Sequence, residues 1–298
     1  MDDYRCAVAC AARGEAMAGT ASVVRDWLLL EHPGPWGIDA LRDGRDLAVL
    51  GPELIRRSRA ADVRILLIRR FGRATAGPVT AFGVHSGPDA PWIERIELTR
   101  FRDAAGIELE RIHGPEPPGL GRPHAEPLFL VCTHGRHDRC CAELGRPLAA
   151  SMAAEFPEAT WESSHIGGDR FAGNLVVFPH GLYYGRVAPE HGPVVARAYQ
   201  EGRLDLDHLR GRSCRPMALQ AAEHELRIRA GLDRIDDVHL EAASRTPNGV
   251  EATFRTSAGR LEVSISVDPG EPERLTCRSR RDERPPAYGL RSIRPLDD

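Results

Sequence analysis

The sequence FLVCTHGRHDRCC occupies residues 129–141, and SSHIGGDRFAGN follows at residues 163–174. Cys132 stands at the end of a predicted strand, and Cys140 and Cys141 open the helix that follows. Thiolates combined with imidazole suit zinc or iron–sulfur clusters. Backbone N–H groups at a helix start, together with the glycines of HIGGD, can stabilise an anionic group. These two stretches therefore predict a metal centre.

Thiol redox chemistry and structural zinc are the alternatives for the same side chains. A thiol redox site usually carries a C-x-x-C motif, whereas seven residues separate Cys132 from Cys140 and the chain has no C-x-x-C. Structural zinc usually shows two close-spaced ligand pairs, and only a C-x8-C spacing with one histidine is visible here. Simple burial in a core is disfavoured because HGRHDR, residues 134–139, is too polar.

Around these stretches the pattern predicts a small α/β sandwich of the thioredoxin type. PLFLVCTHG (127–135) is predicted as a strand running into a loop, and CCAELGRPLAASMAAEF (140–156) has helical periodicity. After the glycine-rich loop, NLVVFP (174–179) is predicted as a strand, HGLYYGRV (180–187) as its hairpin partner and PVVARAYQEGRL (193–204) as a helix. Strand, helix, loop, hairpin and helix is the order expected of such a sandwich.

The flanking regions predict two further units. Short apolar runs bounded by glycine and proline predict buried strands in the first region, with one acid-flanked helix near 38–60. The Pro- and Gly-rich stretch 113–127 is typical of a linker. In the last region an amphipathic helix precedes three strands separated by turns such as PNG, which indicates a helix packed on a small antiparallel sheet. We therefore expect an α/β (α+β) fold, with an N-terminal α/β domain (1–115), a thioredoxin-like domain (125–205) and a C-terminal α+β region (211–298).

Composition and charge exclude several classes of protein. A chain of 298 residues with 42% hydrophobic and 28% charged residues can bury a real core. The net charge is −3 and all 40 basic residues are arginines that alternate with acids, which argues against a nucleic-acid partner. The chain has no run of eighteen apolar residues and no signal-like N-terminus, so we expect no membrane span and a cytoplasmic location.

The cysteine count supports metal or thiol chemistry. The chain has 7 cysteines, an odd number, and in a reducing compartment this favours metal or thiol sites over a disulfide framework. Four of them lie outside the motif and are expected to be structural thiols: Cys6, Cys10, Cys214 and Cys277.

Three long motifs carry a resemblance to a known family. They are CTHGRHDRCCA (132–142), SHIGGDRFAGN (164–174) and PHGLYYGRV (179–187), and together they resemble the sucrase/ferredoxin-like family. Weaker matches lie in the flanking regions: AGTA (18–21), PGPWG (33–37) and QAAE (220–223). The resemblance thus extends over nearly the whole chain.

The resemblance implies a thioredoxin-like ferredoxin domain that binds a 2Fe-2S cluster through mixed Cys and His ligands. The family's first cysteine falls on Cys132, its second on Cys141, and the first histidine of its H-x-G-G-H motif on His165. Asp169 stands where the best-known members carry the second histidine, and we expect it to supply the fourth ligand. Three other side chains are alternatives for that place: Cys140, His134 and His137.

The function expected from this cofactor is one-electron transfer or redox sensing, with a redox donor and an acceptor protein as partners. Three arginines near the motif would offset the cluster charge and raise its reduction potential: Arg136, Arg139 and Arg170. The rival functions are a thioredoxin-type thiol oxidoreductase, which would pair Cys132 with Cys140 or Cys141, and a zinc-stabilised binding module. No paired carboxylates at a plausible spacing indicate a glycosidase, so we do not expect a sucrase.

Overall fold

The computed structural model describes residues 3–44, 47–72 and 77–296. The first region contains α1 (Cys6–Ala12), β1 (Asp26–Glu31), α2 (Leu50–Ala61), β2 (Val63–Arg69), β3 (Val79–His85), β4 (Trp92–Leu98) and β5 (Arg122–Pro123). The middle region contains β6 (Leu128–Cys132), α3 (Arg139–Glu155), β7 (Thr160–Ser163), β8 (Leu175–Phe178), β9 (Leu182–Tyr184), α4 (Gly192–Gln200) and β10 (Leu209–Arg212). The last region contains α5 (Met217–Ala230), β11 (His239–Thr246), β12 (Gly249–Thr256), β13 (Gly259–Pro269) and β14 (Pro286–Leu296).

The first two regions share one ten-stranded sheet in the order β10-β9-β8-β6-β7-β2-β1-β3-β4-β5. β1 runs parallel to β2 and β6 parallel to β7, and the other neighbours are antiparallel. The central strands are buried along their whole length because side chains cover both faces of the sheet. This explains why the sequence shows continuous apolar runs there and not an alternating pattern.

The predicted strand, helix, loop, hairpin and helix are present in the middle region, with one additional strand, β7, between α3 and the loop, which the pattern did not indicate. β6, α3 and β7 form a parallel unit, β8 pairs antiparallel with β6, β9 forms a hairpin with β8, and α4 follows. The mixed α/β class predicted from the sequence is confirmed. The sheet continues across the predicted linker 113–127, because β2 pairs with β7 through Ile68↔Ser163 and Arg69↔Glu162. The domain boundaries stay predictions.

The last region is a four-stranded antiparallel sheet in sequential order, with α5 packed on it. The predicted helix and three strands are present, and β14 is a fourth strand that the pattern did not indicate. The predicted helix near 38–60 is half wrong, because α2 begins only at Leu50. Residues 38–44 form turns instead, in which the Asp39 N–H donates to Asp43 Oδ2 at 2.8 Å. Residues 45 and 46 of the predicted helix lie outside the described residues. Pro52 then occupies the first helical turn, where a missing N–H costs nothing.

The described residues include no helix with the length and apolar character needed to span a bilayer. The cytoplasmic location stays a prediction.

Candidate metal centre

Two buried cysteines face each other where β6 ends and α3 begins. Asp138 caps α3 by accepting the Cys140 N–H at 2.9 Å, which fixes the direction of the first helical turn. A Cβ on Gly145 would lie 2.0 Å from the Cys132 carbonyl oxygen, so glycine allows α3 to cross close to the end of β6. Cys132 and Cys141 are each only 1% exposed.

The HIGGD loop, residues 165–169, approaches the same place from the end of β7. Gly167 and Gly168 have φ values of 100° and 80°, which side-chain-bearing residues rarely adopt. The carbonyl of Gly168 accepts from Asn174 Nδ2 at 2.8 Å, and that of Gly167 accepts from Arg210 Nη1 at 3.0 Å. The loop backbone is therefore held by two buried side chains from neighbouring strands and turns.

Three predicted ligands converge at this point. Sγ of Cys132, Sγ of Cys141 and a ring nitrogen of His165 all lie within 4.8 Å of one another. Oδ1 of Asp169 lies 3.1 Å from Cys141 Sγ and 2.9 Å from His165 Nδ1. Asp169 is buried, whereas a quarter of the His165 side chain is exposed. The fold thus brings all four predicted side chains together although they come from three separate segments.

The three alternative ligands are placed differently from one another. Nε2 of His134 lies 2.7 Å from the Gly37 carbonyl and its Nδ1 accepts the His165 N–H at 3.2 Å, so both ring nitrogens are occupied by backbone. The His137 ring stacks on His165 with centroids 3.7 Å apart, and its Nε2 is 3.9 Å from Asp169 Oδ2. Cys140 turns away to a different group of side chains. Among these three, His137 is the one beside the centre.

The electrostatics of the four side chains are coupled. The pKa of Cys132 falls well below its usual value because Sγ accepts from Cys141 and His165, and this outweighs its burial. The pKa of Cys141 rises because its S–H donates to Cys132, and burial beside Asp169 raises it further. Burial lowers the pKa of His165, but Asp169 and Cys132 outweigh it and raise the pKa to about 9. Burial raises the pKa of Asp169, but His165 outweighs it and the net direction is downward.

This charge distribution fits a metal-binding site. The pKa values of Cys132 and Asp169 are both lowered, which favours the anionic forms that bind metals. Cys141 and His165 hold protons that a metal would displace, as is usual for thiol and imidazole ligands. The donor set of two thiols, one imidazole and one carboxylate suits zinc or iron.

The arginines predicted to offset the charge of the centre do not surround it. Arg136 and Arg139 are exposed, and Arg170 Nε donates to Glu15 Oε1 at 2.7 Å. The arginine that does lie near the centre is Arg210, which the sequence analysis did not single out. It lies beneath the HIGGD loop and is only 1% exposed. Its guanidinium also donates to Asn174 Oδ1 at 2.8 Å. In a chain with 40 arginines, no sequence signal distinguishes this one.

Comparison with known proteins places the chain in a family. Residues 17–211 match the family described as "Sucrase/ferredoxin-like", a span that holds both cysteines and the HIGGD loop. The chain belongs to the sucrase/ferredoxin-like family. The predicted resemblance is therefore confirmed for about two thirds of its length, and the match excludes α1 and everything after β10.

Named relatives of this family member are yeast proteins called altered inheritance of mitochondria protein 32. The one from Meyerozyma guilliermondii is 29% identical over 136 residues, which cover 41% of this chain and 43% of that protein. The one from Eremothecium gossypii is 31% identical over 118 residues, which cover 37% and 35%. The chain thus spans less than half the length of these relatives.

Two solved structures from Aquifex aeolicus are also similar to part of this family member. The thioredoxin-like [2Fe-2S] ferredoxin is 17% identical, with a TM-score of 0.26, and covers 30% of this chain and 94% of the ferredoxin. Its Cys59Ser variant is 16% identical, with a TM-score of 0.25, and covers 28% and 97%.

Proposed function

We propose that this protein binds a 2Fe-2S cluster through Cys132, Cys141, His165 and Asp169 and uses it to accept and donate single electrons. One observation carries the proposal: donor atoms from β6, α3 and the HIGGD loop approach to within 4.8 Å, and Asp169 touches two of them. Iron–sulfur clusters are held by thiolates, in some cases with imidazole in place of two of them. The cluster would supply the exchange of one electron, and the protein supplies binding, orientation and electrostatics.

The surrounding residues suit such a cofactor. Cys132 and Cys141 lie in the apolar core beside Trp27, Trp161 and Ile166, which excludes water from the thiolate side of the site. The buried guanidinium of Arg210 lies behind the loop and contributes positive charge close to the thiolate ligands. Burial and nearby positive charge are two means by which proteins set the reduction potential of a cluster.

The solvent-exposed part of the site is the side formed by His165. Of the four proposed ligands, His165 has the largest solvent exposure, at 25% of its side chain, against 3% or less for the others. It opens beside His137 into a shallow groove lined by Ile38, Leu41 and Ile65. We propose that electrons enter and leave along this edge, where a donor or acceptor protein can come close to the site.

A thiol oxidoreductase is the second candidate, since the sulfurs of Cys132 and Cys141 lie within 4.8 Å of each other and hydrogen bonds from Cys141 and His165 lower the pKa of Cys132. A thiol exchange reaction requires a partner sulfur to reach the attacking thiolate. Both cysteines are only 1% exposed, which disfavours such attack. The electron-transfer proposal therefore accounts better for the burial of the thiols.

The visible spectrum of the anaerobically purified protein tests the proposal. A cluster gives a brown protein with iron and acid-labile sulfide in equal amounts, whereas zinc or free thiols give a colourless one. Loss of colour on addition of dithionite, and its return on reoxidation, is the expected sign of electron exchange. A colourless protein that holds neither iron nor sulfide after anaerobic purification would remove the cluster from this site.

Asp169 offers a test of the fourth ligand. A carboxylate is harder than imidazole and carries negative charge, so it stabilises the ferric state and binds iron less firmly than histidine does. We expect Asp169→His to raise the midpoint potential, on the order of 100 mV, because replacing anionic ligands by imidazole raises cluster potentials. We also expect the cluster to be lost more slowly. Redox titration and the decay of visible absorbance in air measure the two effects.

Asp169→Ala separates ligation from a supporting role. If Asp169 is a ligand, this variant loses the cluster or holds it with a much shorter lifetime. A potential and lifetime close to those of the wild type would take Asp169 out of the coordination sphere. His137, which stacks on His165, would then be the side chain to replace next.

A further inference from the structure

A second group of cysteines converges on another face of α3, away from Cys141. Cys6 begins α1, Cys140 lies in the first turn of α3, and Cys277 lies in the connection 270–285 between β13 and β14. Sγ of Cys277 is 3.4 Å from Sγ of Cys140 and 3.5 Å from Sγ of Cys6. Cys277 thus contacts both other thiols, and the three come from segments more than 130 residues apart.

Asp138 adds a carboxylate to this group. Both of its oxygens lie 3.7 Å from Cys6 Sγ, and all four donor atoms lie within 4.8 Å of one another. The carboxylate accepts the Cys140 N–H at 2.9 Å and the Cys277 N–H at 2.7 Å, which fixes its position between the thiols. Cys6, Asp138 and Cys140 are at most 1% exposed, and Cys277 is half-buried.

This second group is distinct from the centre at Cys132. Successive residues of a helix point about 100° apart, so the neighbours Cys140 and Cys141 face different sides of α3. Cys141 faces the ten-stranded sheet, and Cys140 faces α1 and the connection 270–285. Cys6 and Cys277 also lie outside residues 17–211, the span that matches the sucrase/ferredoxin-like family. The family match therefore does not account for their convergence.

We propose that Cys6, Asp138, Cys140 and Cys277 bind one structural Zn²⁺. Zinc prefers four ligands in a tetrahedron with thiolate sulfur as the commonest donor, and a Zn–S distance of about 2.3 Å places such sulfurs roughly 3.8 Å apart. The observed separations of 3.4 and 3.5 Å are close to this. They are far longer than a disulfide bond of about 2.05 Å, and a disulfide between any two of the thiols leaves the third without a partner.

The site would fasten two peripheral segments to the cluster-binding region. The connection 270–285 is long and mostly irregular, and connections longer than about 12–15 residues need a specific reason to stay ordered. Few apolar side chains hold it in place: the small cluster there contains Cys6, Ala7, Cys140 and Ala172, with Tyr4 and Cys277 at its margin. Zinc bound to both segments would replace the apolar burial that they lack.

Metal analysis of the full chain tests the proposal. We expect one zinc per chain in addition to the cluster iron. Cys6→Ser and Cys277→Ser should each lose the zinc while iron and visible absorbance stay at wild-type levels. Cys132→Ser should show the reverse, with iron lost and zinc retained, so the failure of this proposal and the failure of the cluster proposal are distinguishable. Cys10→Ser is the matched control, because Cys10 is buried on the same helix but belongs to neither group.

Two further measurements test the zinc proposal even if Cys6→Ser or Cys277→Ser folds poorly. Asp138→Asn keeps a good helix cap but removes the carboxylate charge, so it should fold and bind zinc more weakly than the wild type. In the colourless Cys132→Ser background, Co²⁺ added to the metal-free chain should give a sulfur-to-cobalt absorption band, which Cys277→Ser abolishes. Zinc-free wild-type protein with a disulfide among these cysteines, iron in this site in Cys132→Ser, or full zinc content in Cys277→Ser would each overturn the proposal.

Discussion

Replacing Cys132 or Cys141 with serine is expected to abolish iron and sulfide binding, whereas Cys140→Ser retains both. Serine oxygen is a harder and far less acidic ligand than thiolate sulfur, so it holds an iron–sulfur cluster poorly. Cys132 and Cys141 face the site from β6 and α3, and both are almost completely buried. Cys140 faces α1 instead. The expected result is loss of essentially all visible absorbance in the first two variants and none in the third.

Iron and sulfide analysis of the three purified variants measures this directly, and circular dichroism shows that each one is folded. Because Cys140 and Cys141 are adjacent, Cys140→Ser is a closely matched control for any general effect of losing a thiol at the start of α3. If Cys140→Ser emptied the site and Cys141→Ser did not, the assignment within the pair would be reversed. Full retention of iron in Cys132→Ser would contradict the proposed function itself.

The part of the fold that the sequence predicts well is the part that local patterns determine. β6, β8 and α3 are visible as an apolar run, a second apolar run and a helical period, and the order of these elements is sufficient to suggest the thioredoxin-like arrangement. Other elements depend on tertiary pairing. β14 contains PAYGLRSIRPL, with proline near both ends and no apolar run, and it is a strand because Ile293 pairs with Val263 on β13. No window of the sequence contains that information.

The same distinction holds for the two groups of side chains that we propose bind metal. Cys132, Cys141, His165 and Asp169 lie within residues 132–169, in motifs that resemble those of the family, so the resemblance could name them as one set. Cys6 and Cys277 are separated by 271 positions, and their contact depends on how α1 and the connection 270–285 pack on α3. From the sequence they could only be taken as isolated structural thiols. Their proximity is a result of the tertiary structure.

A buried cluster of charged side chains links α5 to β10, the edge strand of the ten-stranded sheet. Glu223 is 3% exposed and lies within ion-pair distance of three arginines that are each at most 5% exposed. Its Oε2 is 2.7 Å from Arg215 Nη1, and its Oε1 is 2.9 Å from Arg227 Nη2 and 3.3 Å from Arg212 Nε. Burial alone raises the pKa of Glu223, but the arginines outweigh it and lower the pKa to about 2.

Glu223→Gln is expected to lower the free energy of unfolding by about 3–5 kcal/mol, because it leaves three buried cations without a counter-charge. Glu225→Gln on the same helix is the control. Glu225 pairs with Arg229 at 3.4 Å near the surface, and removing such an exposed pair costs at most about 1 kcal/mol. Denaturant titration of both variants at neutral pH gives the comparison. A loss in Glu223→Gln no larger than that in Glu225→Gln would show that the buried cluster adds little to stability.

The pH dependence of the same comparison isolates the charge of Glu223. Its folded pKa of about 2 lies below the ordinary value of 4.5, so its ionisation stabilises the fold above pH 4.5, and this contribution is lost as the pH falls from 4.5 toward 2. The shift corresponds to about 3 kcal/mol. The difference in unfolding free energy between the wild type and Glu223→Gln should therefore shrink below pH 4.5. A difference that stays constant down to pH 3 would mean that the cost of the substitution comes from packing and not from charge.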